Sequence, residues 1–279
     1  MPKYSDQKLK NIIDAWSNKV NCSLDDDNNW QTYKVTGDNR VPSSITLPRV
    51  TSISGMINKP ELNNWIVNQT LSYIRDNLFK KILANSKSSY PKSNKEVLKD
   101  VITQASASPI KTRDTAGNFG TECHDLLKIL SDNPNTEIPE KFQHVSRVWS
   151  DYMNESGLIS LATEQSLYYH KDGIGFAGTF DYLGVNTHGD IIIMDYKTSN
   201  GIYDDMALQL SAYCMAFKFI FGKFIEDRNI KGVVMKLPKT KDGQLEVAIV
   251  NDLESQFEIF KGLALRKKIS ESSNTWQKE

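Results

Sequence analysis

The chain has 279 residues, of which 39% are hydrophobic and 24% charged, enough for a substantial core and ordinary for a globular protein. Its 34 basic and 34 acidic residues cancel, so no overall field draws in nucleic acid, and any such contact has to come from a local patch. Cys22, Cys123 and Cys214 stand far apart, which excludes a zinc knuckle and a disulfide framework and fits a reducing compartment. No run approaches membrane-spanning length, and the first residues carry neither an apolar leader nor an Arg-rich presequence, so a cytoplasmic protein without a membrane partner is expected.

Leu9, Ile12, Ile13, Trp16 and Val20 recur at helical spacing and predict a short amphipathic helix over 5–20. The run Asp25 to Asn29 lacks the glycine and glutamate of a calcium loop and reads as a solvated turn. Pro60 sits in the first turn of a long helix marked by Trp65, Ile66, Leu71, Ile74, Leu78 and Phe79. Lys80 to Lys99, rich in Lys, Ser and Asn, reads as a solvated linker, although beside a nuclease cleft the same lysines would bind phosphates. Ser108-Pro109 and Gly117 bracket another expected loop. A helix then opens at Phe119, carries His124 on the face of Leu127, and ends before Pro134 and Pro139. Phe142, Val145, Val148, Trp149 and Tyr152 define the next helix.

Strands are predicted at 165–170, 176–185 and 190–197, a helix at 204–221, strands at 232–237 and 244–250, and a closing helix at 253–269. That order describes an α/β core behind a helical N-terminal portion.

The most informative stretch runs from Gly178 to Lys197, two apolar runs separated by the polar turn Asn186 to Asp190, a β-hairpin with charge at one end. Side chains alternate along a strand, so Asp195 and Lys197 leave the sheet on the same face. Both faces of that strand are largely apolar, which predicts a central position. If the hairpin closes near Asn186 to Gly189, Asp181 returns to the level of Asp195. Two carboxylates that close repel unless a cation lies between them, and oxygen ligands suit Mg²⁺ or Mn²⁺. Taken alone, Asp195 and Lys197 would be an ordinary edge ion pair, and His124 a satisfied core histidine.

Other motifs fail on context. Gly173 to Gly178 matches G-x-G-x-x-G but leads into a strand rather than a helix, so its glycines serve a turn and a close approach instead of a dinucleotide. No Gly-x-Ser-x-Gly elbow and no spaced Cys/His pair supports nucleophilic hydrolysis. Gln209 and Tyr213 share one helix face at i and i+4, placed to hydrogen-bond a phosphate or a base, or to buttress Lys197.

Gly120 with His124, Gly178 with Asp181, Asp195 with Lys197, and Gln209 with Tyr213 follow one another as in the PD-(D/E)XK nuclease superfamily, which the chain resembles in its RecB-like branch. Within that branch it is most similar to mitochondrial genome maintenance exonucleases and their phage counterparts. Leu47 to Thr51 resembles their Pro-Ser-Val-Thr segment, and the likeness spans roughly residues 45–268. The resemblance implies a restriction-endonuclease-like core, a mixed central sheet flanked by helices, at 161–279. It further implies a helical portion at 45–160 arching over the cleft and supplying His124, with 1–44 as an N-terminal extension.

It also implies that His124, Asp181, Asp195 and the Tyr196 carbonyl bind Mg²⁺ or Mn²⁺, with Lys197 positioning or activating the attacking water. Glu164 would either support that set or bind a second ion. Gln209, Tyr213 and Thr198 would contact substrate. The activity implied is a metal-dependent deoxyribonuclease, catalysed by Asp181, Asp195 and Lys197 and acting as a monomer on single-stranded DNA with a free end in replication or repair. Trp65 or Tyr73 would stack on bases. An iron–sulfur cluster is excluded, because three badly spaced cysteines cannot supply its four ligands. The competing readings are a structure-specific endonuclease and a non-catalytic nucleic-acid-binding module on the same fold.

Overall fold

A computed structural model describes residues 5–25, 32–225 and 227–272; the acidic run at 26–29 lies outside them. The chain divides into two compact units, Met1–Ile57 with Cys123–Glu279, and Asn58–Glu122.

The first unit is mixed α/β. Its main sheet runs in the order β4 (Ile159–Lys171), β5 (Ile174–Val185), β6 (Ile191–Lys197), β7 (Ile230–Lys236) and β8 (Glu246–Ile249). All neighbours are antiparallel except β6 and β7. The parallel pair needs a crossover, and α6 (Asp204–Ile225) supplies it. As its two-sided apolarity predicts, β6 is the middle strand, buried from Ile191 through Tyr196. The hairpin closes at Asn186, whose Oδ1 accepts from the amides of His188 and Asp190 at 3.0 and 2.9 Å, while Gly189 takes a left-handed φ of 84°.

One face of this sheet, with Leu183, Ile191 and Ile193, packs on α6 through Leu210 and Phe217. By alternation Tyr196 points to the opposite face, where its hydroxyl accepts from Trp149 Nε1 of α5 (Gln143–Ser156) at 3.1 Å. By length and composition α6 is apolar enough to cross a membrane, contrary to expectation; 67% of that window is buried inside the fold.

Residues 5–25 and 32–57 are built into this unit. The helix α1 (Asp6–Lys19), with Ser5 accepting from the Lys8 amide, precedes an antiparallel three-stranded sheet of β1 (Asn21–Leu24), β2 (Thr32–Thr36) and β3 (Ser44–Pro48), then the short helix α2 (Val50–Ser54). Leu9, Ile13, Trp16, Tyr33 and Val35 share one core with Leu167, Tyr168 and Phe221. The compact division therefore falls at 57/58 and 122/123, rather than at the expected 44/45 and 160/161. The expected N-terminal extension carries most of a second sheet, because Tyr33 and Val35 alternate inward and bury in the shared core.

The second unit is a helical hairpin of α3 (Pro60–Ser86) and the part of α4 (Asn94–Asp132) up to Glu122. Here two sequence expectations are corrected. Lys80 to Lys99 is a turn of only seven residues, 87–93, between helices, since lysine is a good helix former. No loop separates Ser108 from Gly117; α4 runs straight through Pro109. Val97, Val101, Ala105 and Pro109 are buried at every fourth position, a continuous stripe that outweighs the hydrogen bond a proline removes.

Asp38 ties α1 to the core. Its carboxylate accepts from Trp16 Nε1 at 2.9 Å and from the Arg40 amide at 3.0 Å, and pairs with Arg40 Nε at 3.2 Å. Burial works against its charge, but these donors outweigh it and hold the carboxyl below the usual range. Its contribution to stability is therefore present at neutral pH and is lost as pH falls through that depressed value. Asp38→Ala leaves the buried indole N–H unpartnered and should lower unfolding free energy by about 1–3 kcal/mol in urea titrations. An unchanged midpoint would contradict this role.

Candidate metal centre

The site forms where β5 and β6 stop pairing. Their ladder runs from Val185 opposite Ile191 to Tyr182 opposite Met194. One residue further, Asp181 and Asp195 stand level, as the hairpin register predicts. The Tyr196 amide donates to Asp181 Oδ2 at this fork. The Lys197 carbonyl accepts from the Leu237 amide at 2.7 Å, on the β7 side, so by alternation the Tyr196 carbonyl lies on the β5 side with its own amide. That puts the carbonyl expected as a ligand on the same edge of β6 as Asp181.

His124 arrives from the last turns of α4. Its Nδ1 lies 3.1 Å from Asp181 Oδ1, and its ring stands edge-on to Tyr196, centroids 6.0 Å apart. Glu164 comes from β4, where Thr163 pairs with Tyr182 and Gln165 with Phe180, leaving Glu164 across from Asp181 at a gap in the register. Its φ of 48° is left-handed, a conformation that costs a non-glycine residue about 1–3 kcal/mol. Ligand atoms of His124, Glu164 and Asp181 all lie within 4.8 Å of one another. One nitrogen and two carboxylate oxygens at that spacing fit a divalent cation.

Asp195 stands outside this trio and has other partners. Lys197 Nζ pairs with its Oδ2, and Gln209 Nε2 donates to its Oδ1 at 2.8 Å. The same Gln209 amide donates to Tyr213 Oη at 2.9 Å and accepts from Lys197 Nζ at 3.2 Å. Gln209 and Tyr213, expected to touch substrate, are 7% and 2% exposed and brace Asp195 and Lys197 from below. Gly178 makes room for Tyr213: a Cβ there would come within 2.7 Å of the Tyr213 ring and 3.1 Å of Val50. Thr198, half-buried, follows directly after β6.

The electrostatics describe a site short of positive charge. Burial, reinforced by Asp181, pushes the Glu164 carboxyl up to about 7. Burial also pushes Asp195 up to about 6, against the opposing pull of Lys197 and with Asp181 adding to it. For His124 burial opposes the charged form, yet the Asp181 carboxylate prevails and raises it above the ordinary histidine value. Lys197 is likewise raised, the carboxylates of Asp195 and Asp181 overcoming its burial, so it carries its charge at neutral pH.

The sequence left two contributors unassigned. Trp149 and the Tyr196 ring form the wall behind His124 through the Trp149–Tyr196 hydrogen bond. Trp149 was legible as a helix-face aromatic, but nothing in its spacing points to the site.

Divalent-ion binding requires His124 and Glu164 to lose their protons. Because burial pushes Glu164 up to about 7 and the Asp181 carboxylate raises His124 above the ordinary histidine value, Mn²⁺ affinity measured by calorimetry should fall at least about tenfold from pH 8 to pH 6. Equal affinity at the two pH values would exclude these residues as ligands. In Glu164→Gln the same measurement should show weaker binding at pH 8.

No protein family and no curated protein matches the chain. Among solved structures it is similar to SSO0001, at 16% identity and a TM-score of 0.31, over 47% of this chain. The match spans 58% of the length of that structure, a likeness too slight to bear on fold or activity.

Proposed function

We propose that the chain is a divalent-metal-dependent deoxyribonuclease that hydrolyses phosphodiester bonds. The observation that carries this reading is the fork between β5 and β6. It sets Asp181 beside His124 and Glu164 and, one strand over, Asp195 beside a charged Lys197. A Mg²⁺ or Mn²⁺ ion held there would supply charge against the scissile phosphate and make a neighbouring water a better nucleophile.

The chain's own residues do the remaining work. The Tyr196 amide fixes one Asp181 oxygen, leaving the other turned toward His124. Lys197, 23% exposed at its side chain, presents its ammonium where charge builds up on a phosphate under attack. Gln209 holds Asp195 and Lys197 in one arrangement, so neither has to reorganise during reaction. No side chain is required to form a covalent bond to phosphorus. The preference for single-stranded DNA with a free end, and exonuclease rather than endonuclease action, follow from the family resemblance alone.

Lys197→Ala should reduce cleavage of end-labelled single-stranded DNA by about a hundred- to a thousandfold while binding in chelator persists. Chelation should abolish cleavage by the unaltered chain, and added Mn²⁺ or Mg²⁺ should restore it. Undiminished cutting by the purified variant, or cutting in chelator, would contradict the assignment.

A further inference from the structure

Beyond the metal centre, the ends of β6 and β7 carry a second group of polar side chains. The two strands are parallel, with Lys197 level with Lys236 at the strand spacing of about 4.8 Å. Lys236 is in turn level with Glu246 on β8. Neighbours at one level of a sheet share a face, so Lys197, Lys236 and Glu246 form a row across it. Both lysines of the row are committed, Lys197 to Asp195 and Gln209, and Lys236 to Glu246.

Lys239 has no acidic partner of this kind among the described residues. It stands exposed on the loop that follows β7, and its Nζ donates to Asn200 Oδ1, on the loop that follows β6, at 2.8 Å. Burial and the nearby Lys236 ammonium hold its pKa below the ordinary lysine value, so it faces a like charge and a neutral amide instead of a carboxylate. An ammonium can only donate, which turns the Asn200 oxygen toward it. The Asn200 N–H groups are then left over, with no protein acceptor among the described residues.

Both loops are shaped. The Leu237 amide donates to the Lys197 carbonyl at 2.7 Å, and Pro238 after it is buried. Gly243 folds back onto Pro238, where a Cβ would come within 2.8 Å, and its amide donates to the Thr240 carbonyl at 3.0 Å. On the β6 side Ser199 Oγ donates to the Gly201 carbonyl at 2.7 Å. Two donor groups are thus held side by side just past Lys197.

We propose that Lys239 and Asn200 bind the phosphate of the substrate strand that adjoins the one being cut. An anion with several oxygens accepts from the ammonium and the amide together, and a phosphodiester tethered to the one at Lys197 arrives there at little further entropic cost. Naming the anion a backbone phosphate rests on the hydrolytic reading of the metal centre. The competing reading makes the Lys239–Asn200 contact a brace between two loops.

Steady-state cleavage of end-labelled oligothymidylate by the full chain with Mn²⁺ separates the two. Lys239→Ala should raise KM about tenfold while kcat changes by less than about threefold, because the contact is made equally before and during reaction. The slope of log KM against log salt should become shallower by about 0.7, the value for one phosphate of a single strand that is no longer neutralised. Lys239→Arg should restore most of the loss. Asn200→Asp is the sharper variant, since it turns the contact with Lys239 into an ion pair, which a brace would keep or strengthen, and sets a carboxylate against the incoming phosphate. Its KM should rise at least about tenfold with Tm unchanged or raised. Unchanged KM in either Lys239→Ala or Asn200→Asp, or a fall in kcat accompanied by a lower Tm, would overturn the subsite alone. Failure of the unaltered chain to cut oligothymidylate with Mn²⁺ or Mg²⁺ would overturn the hydrolytic reading, and this assignment with it.

Discussion

The hydrogen bond from the Tyr196 amide to Asp181 is the contact on which the site depends. It occurs at the level where the β5–β6 ladder gives out, so a backbone donor that regular pairing would have given to a strand carbonyl is handed to a side chain. Asp181 thereby becomes part of the sheet's end. Its second oxygen is aimed across the fork at His124, which α4 delivers and the Tyr196 ring steadies. Two successive residues of one strand thus serve both sides of the sheet: Asp195 faces α6, and Tyr196 faces α5.

Around this contact the fold concentrates acids faster than it supplies bases. Glu164, Asp181 and Asp195 converge, and two of them are driven toward the neutral form, to about 7 and about 6. Such crowding is unfavourable in an empty site and is relieved by a cation. The left-handed backbone at Glu164 points the same way, since a non-glycine residue persists there only where its surroundings fix it. Lys197 does not relieve the crowding at His124, being committed to Asp195 and Gln209.

Much of this was legible in the sequence because it rests on short-range periodicity. The period of two along β6 set Asp195 and Lys197 on one face, the polar turn at Asn186 set the register that levels Asp181 with Asp195, and the i, i+4 spacing of Gln209 and Tyr213 put them on one face of α6. Glu164 was harder. Its inclusion comes from a gap in the β4–β5 register that no glycine or asparagine announces. The burial of Tyr213 was illegible too, because it depends on the missing Cβ of Gly178, a contact across 35 residues. The sheet of β1 to β3 was overlooked because its strands are four or five residues long and half polar. Composition misled at Lys80 to Lys99, where solvation was mistaken for loss of helix. Local rules misled at Pro109, where a buried stripe held the helix together.

A cation seated between His124, Glu164 and Asp181 is the central claim. Anomalous diffraction from crystals soaked in Mn²⁺ at pH 8 tests it most directly. The prediction is a peak bonded to all three side chains, with the Tyr196 carbonyl within reach. A peak elsewhere, or ordered density that leaves His124 bonded to Asp181 with no ion between the three, would contradict it.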